Sequence, residues 1–403
     1  MAEKIVVTAI GIISALGYGQ EEHIAALRSS KSGMRYPRYL QSVHAKEFVV
    51  GEADKSDKDL AALMDLPTSG NGYTRTTLLA LTAVKDLLKN TDIELLHKER
   101  TAFINADTVG GMCSVENMYM DFIGPDTKPE NLEYIDTLDC SDSTRRISKY
   151  YKIKPFEATI STACSSSANA LILGHRMITQ GLVKRAICGG CDALSRFTLN
   201  GFNSLKNVDR NLCRPFDQNR MGLNLGEGAG YLMLETEASA NERGAEILAV
   251  FSGYANSNDA YHPTAPSPHG EGAYRTMKEA IEKAGLRTGD ISYINAHGTA
   301  TQNNDQSEGE AIETLFTDNI PYFSSTKPYT GHTLAAAGVI EAILSIYGMQ
   351  QSFIIPNLNF ETRMEGMSLQ PTATLKENIN IAHILSNSFG FGGNNVSLVF
   401  SKS

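Results

Sequence analysis

Cysteine is scarce: six in 403 residues, Cys113, Cys140, Cys164, Cys188, Cys191 and Cys213, irregularly spaced. That excludes a disulfide-stapled scaffold and points to a reducing compartment, so the expected location is cytoplasmic. Long apolar runs are also missing. The best candidate, Leu334 to Met349, carries Glu341 in its middle and falls short of the 18 or more residues of a membrane span. Ile5 to Leu16 has the length of a signal-peptide core, but Glu3 cancels Lys4 ahead of it and Thr8, Gly11 and Ser14 interrupt it. There is no excess of positive charge. Lys plus Arg number 36 against 45 Asp plus Glu, a net charge of -9, which argues against nucleic acid as a partner. Neither a Walker motif nor GxGxxG after a strand occurs, so nucleotide binding has no support. Low-complexity tracts and flexible linkers are absent.

What is present is a chain long enough for two or three domains, with ordinary globular composition. Short Ile/Val/Phe-rich runs alternate with stretches of helical spacing, the pattern of an α/β protein. IVVTAIGII from Ile5, TAFINAD from Thr101, FEATI from Phe156, LAVFSGYA from Leu248 and SYINAHGTAT from Ser292 read as strands. QEEHIAALRSS from Gln20 reads as the first helix. Phe103 to Asp107 can be laid over Tyr293 to His297, a hint of internal duplication with two ordinary buried strands as the alternative. The polar segment around Arg243 places a boundary between residues 1–245 and 246–403. The stretches 45–73 and 114–154 read as excursions from the regular core.

Five segments carry candidate chemistry. STACSSSANALILGHRMITQG from Ser161 puts Cys164 at a strand-to-helix junction, where the helix dipole favours thiolate; a buried structural cysteine is the alternative. NAHGTAT puts His297 at the end of an apolar strand, where α/β proteins present side chains to ligands. SSTKPYTGHTLAAAGVIEA has His332 opening a helix of small residues, with Lys327 before it and Glu341 after it. SNSFGFGGNNVSLVF packs Gly390, Gly392 and Gly393 around Phe389 and Phe391, as an oxyanion hole of backbone amides or as a tight hairpin. In RPFDQNRMGLNLGEGAG, Arg214, Asp217, Arg220 and Glu227 read as a buried ion-pair scaffold. The Gly-Gly of Cys188 to Cys191 reads as a turn, and no second cysteine pair supports a metal site.

TACSSS, NAHGTAT, STKPYTGHTLAAAG and NSFGFGG, in this order, resemble the motifs of the elongating β-ketoacyl-acyl carrier protein synthases. VVTAIGIISALG and RPFDQNRMGLNLGEGAG extend the likeness nearly end to end. The resemblance implies a thiolase fold, two similar halves in a five-layered α/β/α/β/α arrangement, usually a homodimer, with a heterodimer as the alternative. It implies an acyltransferase without metal or cofactor, condensing an acyl-enzyme with malonyl-acyl carrier protein in fatty-acid elongation. By likeness, Cys164 is the nucleophile, and His297 and His332 stabilise the enolate. Lys327 and Glu341 orient His332, the amides of Cys164 and Phe391 hold the oxyanion, and Phe391 with Phe389 gates the acyl pocket bordered by Val109 and Gly110. Thr299 and Thr301 bind the phosphopantetheine arm. Basic residues for docking the carrier protein are reduced to Arg75, with Lys206 and Arg210 as replacements. Gly392-Gly393-Asn394-Asn395 departs from the family's Gly-Gly-Thr-Asn. A specialised polyene or polyketide ketosynthase and a structural chain-length-factor-like subunit are alternatives; Cys164 speaks against the latter, in which that cysteine is replaced. A thiolase would need a late cysteine, and none follows Cys213.

Overall fold

The computed structural model describes residues 3–70, 72–123, 129–153, 155–317 and 319–403. Six strands occupy the first part of the chain: β1 (Ile5–Ser14), β2 (Gly17–Tyr18), β3 (Thr101–Ala106), β4 (Pro155–Ile160), β5 (Arg185–Asp192) and β6 (Gly228–Thr236). Seven follow: β7 (Ala249–Asn258), β8 (Tyr293–Asn295), β9 (Tyr322–Ser324), β10 (Phe353–Ile354), β11 (Lys376–Glu377), β12 (His383–Gly390) and β13 (Asn394–Ser401). From the middle outward, one side runs β1, β6, β5, β3, β4 and the other β7, β13, β12, β8, β9. Both sides share the same pairing sequence, two antiparallel contacts and then two parallel ones. They join where β1 pairs with β7 at Val6↔Val250 and Val7↔Ala249. The two segments that resemble each other in sequence lie on β3 and β8, which occupy matching places.

Burial explains the strand composition. Every residue of β3 and β5 is buried, so these strands read as continuous apolar runs, as parallel strands covered on both faces do. The helix Ala337–Gln350 is buried from Ala337 to Met349, and its sequence is apolar nearly all round. It packs against the helix Ser166–Thr179, and this pair forms a central layer between the two sheet regions. The helix Arg75–Leu87 covers the outer face of the first region, and Glu271–Lys283 that of the second. The five layers follow. Gly338 makes the close central approach possible: a Cβ there would meet Ala168 Cβ at 2.9 Å and Ser388 Oγ at 2.8 Å.

Several expectations need correction. The Gly-Gly between Cys188 and Cys191 is no turn, because β5 runs through it to Asp192. A Cβ on Gly189 would fall 1.9 Å from the Gly230 carbonyl oxygen, and one on Gly190 2.8 Å from Ala106 Cβ. Small residues are needed there for neighbouring elements to close, not for a bend. His332 does not open a helix; it bridges to Leu225, and the long helix begins at Ala337. The stretches 45–73 and 114–154 hold the helices Asp57–Leu63 and Ser141–Tyr151, while residues 124–128 and 154 lie outside the described residues.

Candidate active site

Beyond β4 the chain turns sharply, with Ala163 in the left-handed region at φ 53° and Thr162 bridging to Cys164. The three serines after Cys164 hold this turn. Ser165 Oγ donates to the Thr162 carbonyl at 2.9 Å, and Ser166 Oγ donates to the Ala163 carbonyl at 2.6 Å while accepting the Thr162 N–H at 2.8 Å. Ser167 Oγ accepts the Val339 N–H at 3.0 Å, tying the cysteine helix to the other half. Cys164 therefore stands immediately before the helix Ser166–Thr179, as its sequence predicts. Its protonation does not follow the sequence expectation. Burial pushes the thiol up to about 11, opposed by the Lys327 charge and by the backbone N–H groups of Phe391 and Cys164 itself. Desolvation disfavours the charged form more than these partners favour it. Both amides lie beside the sulfur.

His297 lies just past β8. The Glu308 carboxylate accepts its N–H and that of Gly298, each at 2.8 Å, and the Asn387 amide donates to the same carboxylate at 3.1 Å. His332 is held by its own backbone: its N–H donates to the Asn224 carbonyl, and its carbonyl accepts the Gly226 N–H. The Leu334 N–H donates to His332 Nδ1 at 3.1 Å. Lys327 Nζ donates to His297 Nδ1 at 3.2 Å, to the His297 carbonyl at 2.5 Å and to Glu341 Oε1 at 2.5 Å. The Lys327–Glu341 pair thus orients His297, not His332, because Lys327 reaches across from its short helix to the loop after β8. In both rings Nδ1 faces a donor, so in the neutral imidazole the proton sits on Nε2. Burial holds both imidazoles well below their usual range, with the Lys327 charge as the next cause. Burial raises Glu308 and Glu341 to about 7.

Cys164, His297 and His332 bring sulfur and ring nitrogens within 4.8 Å of one another. The imidazole centroids are 5.4 Å apart and nearly perpendicular, at 86°. These three side chains have the element types of a zinc site, but the Nδ1 contacts leave the rings as N–H donors rather than paired ligands. The site sits at the base of a cleft of about 290 Å³ that Thr299, Thr301, Phe389 and Phe391 also line. The Thr299 and Thr301 hydroxyls are 2.8 Å apart. Phe391 stacks on Phe202 at 5.6 Å, and exposed Lys206 stands at the cleft. The segment from Phe389 to Phe391 belongs to the hairpin of β12 and β13, and the Phe391 amide lies beside the Cys164 sulfur.

Other predicted residues lie elsewhere. Val109 and Gly110 are not among the lining residues; Val109 packs in a cluster with Leu199, Leu334 and Phe202, and buried Gly110 bonds Thr76 and Asp107. Arg75 is buried in an ion pair with Glu227 at 2.5 Å and is unavailable for docking. Of the scaffold group, Arg220 pairs with Asp305, Arg214 with Glu361, and Asp217 accepts backbone N–H groups. Sequence reasoning missed Glu308. Its signal was a glutamate eleven residues after His297 in a helix whose neighbouring positions are small, Ser307 and Gly309.

Two family models match most of the chain: the beta-ketoacyl synthase N-terminal domain matches residues 2–240 and the C-terminal domain matches 248–361. A 3-oxoacyl-[acyl-carrier-protein] synthase 2 of Staphylococcus aureus is 31% identical over 419 residues, covering 99% of this chain and 98% of its own. Among solved structures, the ishigamide ketosynthase/chain length factor matches with a TM-score of 0.93 and 27% identity, covering 100% of both chains. A ketosynthase in complex with its chain length factor from Xenorhabdus doucetiae matches with a TM-score of 0.84 and 31% identity, over 100% of this chain and 98% of that one. With both halves matched and the relatives aligned over nearly their whole lengths, the chain belongs to the beta-ketoacyl synthase family.

Proposed function

We propose that the protein is an acyltransferase that joins an acyl group to a malonyl unit carried on acyl carrier protein, releasing CO2 and giving a 3-oxoacyl-acyl carrier protein. The observation that carries this reading is the convergence of Cys164 Sγ with two neutral imidazoles whose free protons lie on Nε2. In the first half-reaction Cys164 Sγ attacks the acyl thioester carbonyl, the carrier thiol leaves with the proton, and an acyl-cysteine remains. In the second, malonyl-carrier protein places its thioester oxygen between the two Nε2–H groups. The carboxylate leaves as CO2, its bonding electrons pass into the enolate, and the imidazoles stabilise the charge on oxygen. The enolate carbon then attacks the acyl carbonyl, whose oxygen takes up charge beside the Cys164 and Phe391 amides. Collapse expels the Cys164 sulfur, which regains a proton.

Thr299 and Thr301 would bond the phosphopantetheine arm, and Lys206 at the mouth would meet the acidic carrier protein. Arg210 is exposed but lies 3.8 Å from Glu47, which offsets its charge. No described helix is long and apolar enough to cross a membrane; a cytoplasmic homodimer divided near residue 245 completes the reading. A second reading is favoured by the two solved relatives, each described with a chain length factor: a ketosynthase of a specialised polyene or polyketide pathway, paired with such a subunit. One assay separates them. The purified protein, alone, is given acyl-carrier proteins of several lengths and saturations with malonyl-carrier protein, and products are identified by mass. Elongation of saturated chains by the protein alone supports the first reading. Cys164 acylation without condensation until a second subunit is added supports the second.

A further inference from the structure

Two buried carboxyls stand beside the site without a part in the steps above. Asp107 follows β3 and Asp192 ends β5, on neighbouring parallel strands, so both leave the sheet at the same end, and both are 0% exposed. Asp107 accepts the Gly110 N–H and the Ser143 hydroxyl, each at 2.7 Å. Asp192 Oδ1 accepts the N–H groups of Thr108 and Val109, each at 3.2 Å. Its Oδ2 accepts the Thr108 hydroxyl at 2.5 Å and the Ala335 N–H at 2.8 Å. The two carboxyls flank one turn: Asp107 accepts from Gly110, and Asp192 from Thr108 and Val109. Burial, then the neighbouring Asp192 charge, holds Asp107 well above the usual carboxylate range, and burial also raises Asp192, against hydrogen bonds from Thr108 and Ala335.

Ala335 is the link to catalysis. Leu334, just before it, is a non-glycine residue at φ 52°. The left-handed conformation is unfavourable for a side-chain-bearing residue and persists where surrounding bonds over-determine it. Here the bonds lie on both sides: the Leu334 N–H goes to His332 Nδ1 and the Ala335 N–H to Asp192. Resting on the condensation reading, we propose that Asp192 is a positioning residue for His332: by gripping the Ala335 N–H it holds Leu334 where its own N–H fixes the imidazole with the proton on Nε2.

The test uses the full-length protein. Asp192→Asn offers an amide NH2 where an oxygen now accepts donors. Acylation of Cys164, followed by intact mass, is expected to stay within about twofold of wild type, while kcat for condensation falls at least about tenfold with KM for malonyl-carrier protein little changed. Unchanged kcat, or equal loss of both half-reactions, overturns the proposal. Independently of turnover, the ring 15N shifts of His332 are expected to leave the Nε2–H pattern in Asp192→Asn, and unaltered shifts in a folded variant refute the clamp. Absence of condensation by wild type under every partner condition would instead reject the functional reading, and the ring shifts would still judge the clamp.

Discussion

At Cys164 two physical effects oppose each other. The helix behind it and the Lys327 charge favour thiolate, whereas burial favours thiol and prevails, at about 11. Because the folded-state value is raised, the thiolate fraction grows as pH rises. Iodoacetamide alkylation of Cys164 is therefore expected to accelerate about tenfold per pH unit from 7 to 9 without a plateau. A plateau near neutrality would show the helix dipole winning. Cys164→Ala is expected to abolish acyl-enzyme formation by intact mass while retaining malonyl decarboxylation, since neither imidazole is touched. His332→Ala should still acylate Cys164 but lose about 10² to 10³ in condensation rate, the usual effect of removing one oxyanion donor. At this scale the residue types were legible in sequence: local context offered Cys164, His297 and His332 as candidates, and the resemblance of their motifs to the beta-ketoacyl synthases joined them. The charge state was not, since desolvation depends on what covers the sulfur.

Among elements, the approach of the helix Ala337–Gln350 to Ser166–Thr179 sets the distance between the nucleophile's half and the histidines' half. Gly338 is the contact, against Ala168 and Ser388. Gly338→Val is expected to cost about 1–3 kcal/mol, read as a lower urea midpoint, and to slow condensation by separating Cys164 from His332. Unchanged stability and turnover would show that the central layer yields to the added methyl groups. The helices after Cys164 and after His332 were legible as helices through composition, but their place in the central layer was not, because an all-apolar helix states only that it is covered. Nor was the interval from His332 to Ala337 legible. It reads as helix because Leu and Ala favour helices, yet the bridge to Leu225 and the left-handed Leu334 override that propensity. The same holds for β5, where two glycines suggest a turn but serve close packing against Gly230 and Ala106.

Across the whole molecule, two similar halves meet at one site, with Cys164 from the turn after β4, His297 from just past β8, and His332 from beyond β9 and the short helix Lys327–Thr330. Charge is distributed differently from the sequence expectation. Arg75 is sequestered by Glu227, leaving Lys206 at the cleft mouth. Lys206→Glu is accordingly expected to raise KM for carrier-bound substrates about tenfold at low salt, with the difference shrinking at high salt and kcat nearly unchanged. An unaltered KM would place docking elsewhere. The sequence by itself determined the α/β alternation, and it offered Cys164, His297 and His332 as candidates joined by the resemblance of their motifs to a family, because periodicity and motif order are written along the chain. Tertiary structure alone decided which histidine Lys327 serves, that Glu308 pins the His297 loop, and that Asp192 grips the Ala335 N–H. These contacts join residues 11 to 143 positions apart, after the chain has turned, and neither distance nor direction is written in a linear order of side chains.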